Sequence, residues 1–262
     1  MRVPARTSSA HDILKRHREV WARKHILREI YQEWYQRILE QFPQPSGRIL
    51  EVGGGSGNLK EYCPAVVSSD VVFCDWLDVI LDAERLPVVE GILDAIVVVD
   101  VLHHVGHPVK VFREAIRTLR PGGRIIILDV YISPFSHLVL KLVHPERVDF
   151  AQDVWSEEHL GGDGQDPWDA NQAVATKMFW REVTRFKTYF PQLNLIKRDF
   201  FSYIMYPLSG GFESRSLIPQ WGIVPMRRIE RALTPVGRFL SFRCLVVLEK
   251  SDPSEIVSPP PY

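Results

Sequence analysis

Ile49-Leu50-Glu51-Val52-Gly53-Gly54-Gly55-Ser56-Gly57-Asn58 is the stretch that decides how this chain is read. A short, mostly apolar run such as Ile49–Val52 is typical of a parallel strand buried on both faces. It leads straight into a turn rich in glycine, the residue that lets a backbone bend tightly and approach a ligand without a Cβ in the way. Two familiar phosphate-binding readings fail on spacing. A dinucleotide fingerprint needs a third glycine where Asn58 or Lys60 stands, and a P-loop needs a Gly-Lys-Ser/Thr that never follows. The pattern that fits is E-x-G-x-G-x-G, with Glu51, Gly53, Gly55 and Gly57, and with Gly54 inside the turn.

Downstream, further short apolar runs occur at Ala65–Ser69, Leu77–Leu81, Ala95–Val99 and Arg124–Asp129. A helical stretch from Pro108 to Leu119 separates the last two and is stopped by Pro121-Gly122-Gly123. Strands alternating with helices predict an α/β fold with right-handed crossovers. Only about seven residues follow Asp70 before the next run, too few for the helix that normally links neighbouring parallel strands, so this crossover is predicted to be abbreviated. Leu193–Ile204 and Phe242–Lys250 read as late strands, with irregular insertions at 130–190 and 205–240. Upstream, apolar residues recur at spacings of three and four from about Ala10 to Phe42, an amphipathic helix with room for one break. The expected organisation is an N-terminal helical cap over 1–45, a domain over 46–250, and a disordered tail over 251–262.

These segments, in this order, resemble the class I S-adenosylmethionine-dependent methyltransferases, of the type 11-like domain. The resemblance covers Ile49 to Asp129, including Asp94–Val105 and Leu119-Arg120-Pro121-Gly122-Gly123. It implies a Rossmann-like, doubly wound, mostly parallel seven-stranded sheet and S-adenosyl-L-methionine as cofactor. It also implies roles: Glu51 orders the loop and the cofactor's amino group, and the turn Gly53, Gly54, Gly55, Gly57 packs beside the methionine portion. Asp70 would hold the ribose hydroxyls, with Asp75 and Asp78 as rivals, while Asp82 and Ala83 meet the adenine edge and Val99 ends the fourth strand near the cofactor. The implied reaction is methyl transfer to a small organic, glycolipid or lipid-like acceptor. The alternative is a non-methylating protein of the same fold, either an aminopropyltransferase-like enzyme or a catalytically silent scaffold.

Candidates for proton handling are His103, His104 and Asp129, and Asp100 also stands at a predicted strand end, the side on which open α/β sheets bind ligands. His103, His104 and His107 lack the i, i+4 helical presentation of a zinc site, so no metal is expected. Tyr131, Trp155, Trp168, Phe179 and Trp180 either line an acceptor pocket or form the core of a small cap.

The 32 basic and 32 acidic side chains balance, which argues against a dedicated nucleic-acid binder. Residues 1–48 nevertheless hold ten basic and five acidic side chains, leaving a mildly acidic remainder; the basic helix is expected to lie over the cofactor site. Residues 215–240 combine Arg215, Arg227, Arg228, Arg231 and Arg238 with Trp221, Ile223, Val224 and Met226, a composition suited to peripheral contact with anionic lipid. Three widely spaced cysteines and the lack of a long apolar run point to a reducing, cytoplasmic setting.

Overall fold

A computed structural model describes residues 9–143, 147–157 and 170–252. Its centre is a seven-stranded sheet of order β3-β2-β1-β4-β5-β7-β6. The strands are β1 (Ile49–Val52), β2 (Val67–Asp70), β3 (Val79–Ile80), β4 (Leu93–Val99), β5 (Leu119–Val130), β6 (Leu193–Phe201) and β7 (Arg243–Lys250). The first five run parallel, and β7 lies antiparallel between β5 and β6. β1 pairs with β2 on one side and β4 on the other, so the strand order reverses at its carboxyl end, where the glycine loop begins. Ligands of open α/β sheets bind at such a reversal.

The pleat sends alternate side chains to opposite layers. Ile49, Ala95, Val97, Ile126 and Leu128 meet α2 (His25–Leu39), which buries Ile30, Tyr31, Trp34, Tyr35 and Ile38. Leu50, Val52, Ile96, Val98, Ile125 and Ile127 face α3 (Pro108–Thr118) and the aromatic group Phe112, Phe179, Phe186 and Phe190. The long amphipathic run is broken once, as expected. α1 (Ala10–Arg23) starts on a capping box between Ser9 and Asp12 and ends at Lys24, whose non-helical backbone separates it from α2.

Crossovers on the β1–β4 side are short. One 3₁₀ turn, Leu59–Glu61, lies between the glycine loop and β2, and among the described elements α3 alone is a full α-helix joining two neighbouring parallel strands. Leu59 and Val66 of the first connection pack in the same cluster as α2. The N-terminal helices therefore supply one of the two layers covering the sheet.

The insertions contain α4 (Pro134–Val143), then α5 (Val174–Thr176) running into a π-helical turn at Lys177–Arg181, and α6 (Val183–Tyr189). The second holds α7 (Met205–Ser209), α8 (Ile223–Ala232) and α9 (Gly237–Leu240). Of the aromatic residues considered as pocket lining, Trp155 and Phe179 are buried in the core, while half-buried Tyr131 and Trp180 touch in a tilted arrangement with ring centroids 5.0 Å apart. Trp168 and positions 253–262 of the expected tail lie outside the described residues. The expected strand over Leu193–Ile204 stops at Phe201, because Ser202 turns to φ +61°.

Candidate functional site

The glycine loop is built on left-handed turns, with φ of +68° at Gly53, +51° at Gly55 and +75° at Gly57. At Gly53 the need is also steric: a Cβ there would lie 2.2 Å from Val101 Cγ2, in the segment after β4. The loop is tied to β2 by Gly54 N–H donating to Ser69 O at 2.7 Å and by Gly55 N–H donating to Asp70 Oδ2 at 3.0 Å.

Asp70 ends β2, and its other oxygen accepts Val72 N–H at 3.0 Å. A carboxylate oxygen has two acceptor directions, so each still has one for a ligand hydroxyl. Leu81 N–H donates to Asp70 O, which brings the start of the Asp82 turn to the same rim. There Asp82 Oδ1 accepts Glu84 N–H at 2.8 Å, and Ala83 is buried. Val99 is half-buried at the end of β4. Of the rivals to Asp70, Asp78 pairs with Lys60 and accepts Ser68 N–H, and Asp75 is exposed.

Glu51 lies beneath the loop. It is 3% exposed, its Oε2 accepts Ser68 Oγ–H at 2.6 Å, and a Cβ on Gly54 would stand 3.0 Å from that oxygen. Burial pushes its carboxyl up to about 7, against the Ser68 hydrogen bond and helped by the nearby Asp70 charge. Two residues that the sequence did not single out cover the loop from outside. Arg18 of α1 donates to Ser56 O and the Trp76 indole donates to Gly55 O, each at 2.9 Å, with the guanidinium 5.3 Å from the indole ring. The basic helix thus reaches the loop. The signals available were a basic position on an amphipathic helix and a tryptophan in a crossover too short to need one.

These features fit an adenosyl sulfonium cofactor. The loop glycines pack the turn against Val101, Glu51 and Trp76, Asp70 and Asp82 offer carboxylates to hydroxyl and amino donors, and Arg18 brings a cation beside the turn.

A second group sits at the carboxyl ends of β4 and β5. His103 Nδ1 is 2.6 Å from Asp129 Oδ1, and both side chains are buried. Asp129 also accepts Leu102 N–H through Oδ2 and Val130 N–H through Oδ1. Burial acts to raise its carboxyl, but the His103 ring and these hydrogen bonds outweigh it and hold the group below the usual carboxylate range. His103 and His104, with ring centroids 4.2 Å apart, line a small polar cleft with Arg147, Gln152 and Asn171. His107 does another job, since its Nδ1 meets Glu84 Oε2 at 2.6 Å and pins the Asp82–Pro87 segment. Among the described residues no group of three or more His, Cys, Asp or Glu side chains is arranged to hold a metal ion.

Asp100 takes φ +53° after β4 and meets Arg243 Nε at 3.3 Å and the Tyr31 hydroxyl at 3.5 Å. Buried Arg243 lies beneath the Tyr206 and Trp34 rings. Burial works against its charge, yet the Asp100 carboxylate more than compensates and keeps the guanidinium above its ordinary value. The sequence reading missed Arg243, Tyr31 and Tyr206, which reach Asp100 only through tertiary contact.

The profile of the family described as "Methyltransferase domain" matches residues 23–182. The chain belongs to that methyltransferase family. Curated relatives include the ubiquinone/menaquinone biosynthesis C-methyltransferase UbiE of Ectopseudomonas mendocina, 27% identical over 122 residues, covering 38% of this chain and 47% of the relative. The UbiE of Pseudomonas paraeruginosa is 29% identical over 136 residues, covering 43% and 53%. This methyltransferase-family chain thus matches about half the length of those relatives. Among solved structures, a SAM-dependent methyltransferase from Archaeoglobus fulgidus superposes with a TM-score of 0.51 at 15% identity, covering 85% of this chain and 94% of that one. The [4+2]-cyclase SpnF gives 0.50 at 14%, covering 84% and 80%. At these identities the likeness shows a shared Rossmann-like fold, and the fold alone does not set the reaction.

Proposed function

We propose that the protein transfers a methyl group from S-adenosyl-L-methionine to a small organic, glycolipid or lipid-like acceptor. The observation that carries the cofactor is the left-handed glycine turn joined to the Asp70 carboxylate by the Gly55 amide. When bound, the cofactor supplies an electrophilic methyl on a sulfonium. Gly53 to Gly57 and Asp70, Asp82 and Ala83 bind it, Val99 borders it, and Glu51 holds the loop from below.

At the β4–β5 rim, Asp129 orients the His103 ring through its 2.6 Å contact with Nδ1. His103 then takes the proton of an acceptor hydroxyl, amine or acidic carbon as the new bond forms, a contribution of about 10²–10⁴-fold in rate. His104 shares the cleft and lines the acceptor side. The domain over 46–250 carries the chemistry, with the helices over 10–39 completing its covering layer. Three free thiols suit a reducing, cytoplasmic setting.

The test follows label from methyl-tritiated S-adenosylmethionine into organic and aqueous extracts of cells, with wild-type protein and His103→Gln. Transfer by the wild type that falls at least a hundredfold in the variant supports the reading. Cofactor binding without label in any fraction overturns methyl transfer, and equal transfer by both proteins overturns the role of His103.

A further inference from the structure

α8 is amphipathic in an unusual sense. Its inward side is polar as well as apolar: Arg227 pairs with Glu29 and Glu33 of α2, and Glu230 accepts the backbone N–H groups of Tyr203, Ile204 and Met205. Its outward side, and the turn leading into it, expose Trp221 at 82%, Val224, Arg228 and Arg231, with Leu217 at 77% just before.

The exposed apolar surface continues past α8 through Val236 and Phe239 of the following turns, with Arg238 lying 4.8 Å from the Phe239 ring. α9 packs beside α4, which presents Leu138 and, at 75% exposure, Leu142 together with Lys141. Neither α4 nor α9 contains an acidic residue, and the acid of α8 is turned inward. Large exposed apolar patches on soluble domains mark interaction surfaces. Here the apolar side chains are interleaved with cations that form no ion pair with another described residue.

We propose that the face formed by α4, α8 and α9 docks on an anionic phospholipid surface. Tryptophan, leucine and phenylalanine insert at the level of the headgroups, while Lys141, Arg228, Arg231 and Arg238 meet lipid phosphates. The face has a definite place relative to the rim. α4 begins four residues after Val130, and α9 ends just before Arg243, the residue paired with Val130 across β5 and β7. A docked molecule therefore holds the strand ends that carry Asp129 and Arg243 close to the bilayer. The lipid contact stands without the methyl-transfer reading; delivery of a membrane-held acceptor to His103 rests on it.

The test is flotation of the full chain with vesicles of phosphatidylcholine, alone or mixed with phosphatidylglycerol, at low and high salt, alongside thermal melting and sedimentation. The wild type is expected to float with anionic vesicles, and to do so less as salt rises. Arg228→Gln and Arg231→Gln should each weaken partitioning about fivefold, the equivalent of ~1 kcal/mol per basic side chain at an anionic surface. Trp221→Ser with Leu142→Ser should abolish it, with melting unchanged because both side chains are solvent-exposed. Absence of flotation at low salt overturns the proposal, as does flotation that these variants do not alter. A dimer that Trp221→Ser dissociates, without vesicle binding, also overturns it and assigns the face to a second copy of the chain.

Discussion

Glu51 and Asp129 are both buried carboxylates, one on β1 just beneath the glycine loop and the other near the end of β5, and their environments drive them in opposite directions. Beneath the loop, Glu51 has the Ser68 hydroxyl and the repulsion of Asp70, so burial prevails and its carboxyl rises to about 7. On the rim, Asp129 has the His103 ring and two backbone N–H donors, so the same burial is overcome and the charge is kept. Burial sets the cost of a charge, and the partner decides whether the charge remains. One carboxyl is thereby suited to fixing a loop and the other to holding a histidine.

The contrast breaks most visibly at Asp129. Asp129→Ala leaves His103 without its carboxylate and two N–H groups without acceptors, and should cost about 3–5 kcal/mol of stability in chemical denaturation. A cost below ~1 kcal/mol would mean that the pair is not formed in solution.

Glu51 differs from Asp129 in how its contribution changes with pH. Its folded value lies above the ordinary 4.5, so the folded state holds the proton more tightly, and stability should fall as pH rises from about 4.5 to about 7 before levelling off. Glu51→Gln should match the wild type at about pH 4 and below, and exceed it at pH 8 by up to ~3 kcal/mol, at 1.36 kcal/mol per pKa unit. Asp129 has the opposite sign. Its contribution is complete above the ordinary carboxylate value and is lost only as pH drops through its lowered folded value, so its effect belongs to acid unfolding. Melting curves across the pH range separate the two.

Smaller effects are expected on the ligand side of the loop. Asp70→Ala should weaken adenosyl-ligand binding by about 1–3 kcal/mol through lost hydrogen bonds to a charged group. Arg18→Ala, which removes one bond to Ser56 O and the contact with Trp76, should cost about 0.5–1.5 kcal/mol in the same titration.

The glycine turn, the strands around it and the abbreviated crossover after Asp70 were legible because each rests on local composition: short apolar runs, glycine spacing and too few residues for a helix. The two-helix N-terminal run was legible from its period, and its basic part was expected over the cofactor site, yet its second place, as a layer packed on the sheet, was not. Nothing in residues 10–39 says that they cover the face where the connection after the loop is only a 3₁₀ turn. His103 and Asp129 were each visible at a strand end, and their contact was not. The Asp100–Arg243 pair was hidden further still, since it depends on β7 running antiparallel beside β5 so that its first residue returns to the rim where β4 ends.

The proposed function stands on the turn from Gly53 to Gly57, closed by Asp70, as the adenosyl-cofactor site. Calorimetric titration of S-adenosylhomocysteine into wild type and Asp70→Ala, with NADH as control, tests it most directly. Micromolar binding by the wild type, clear weakening in the variant and no heat from NADH are expected. Absence of S-adenosylhomocysteine binding, or equal affinity in both proteins, would contradict it.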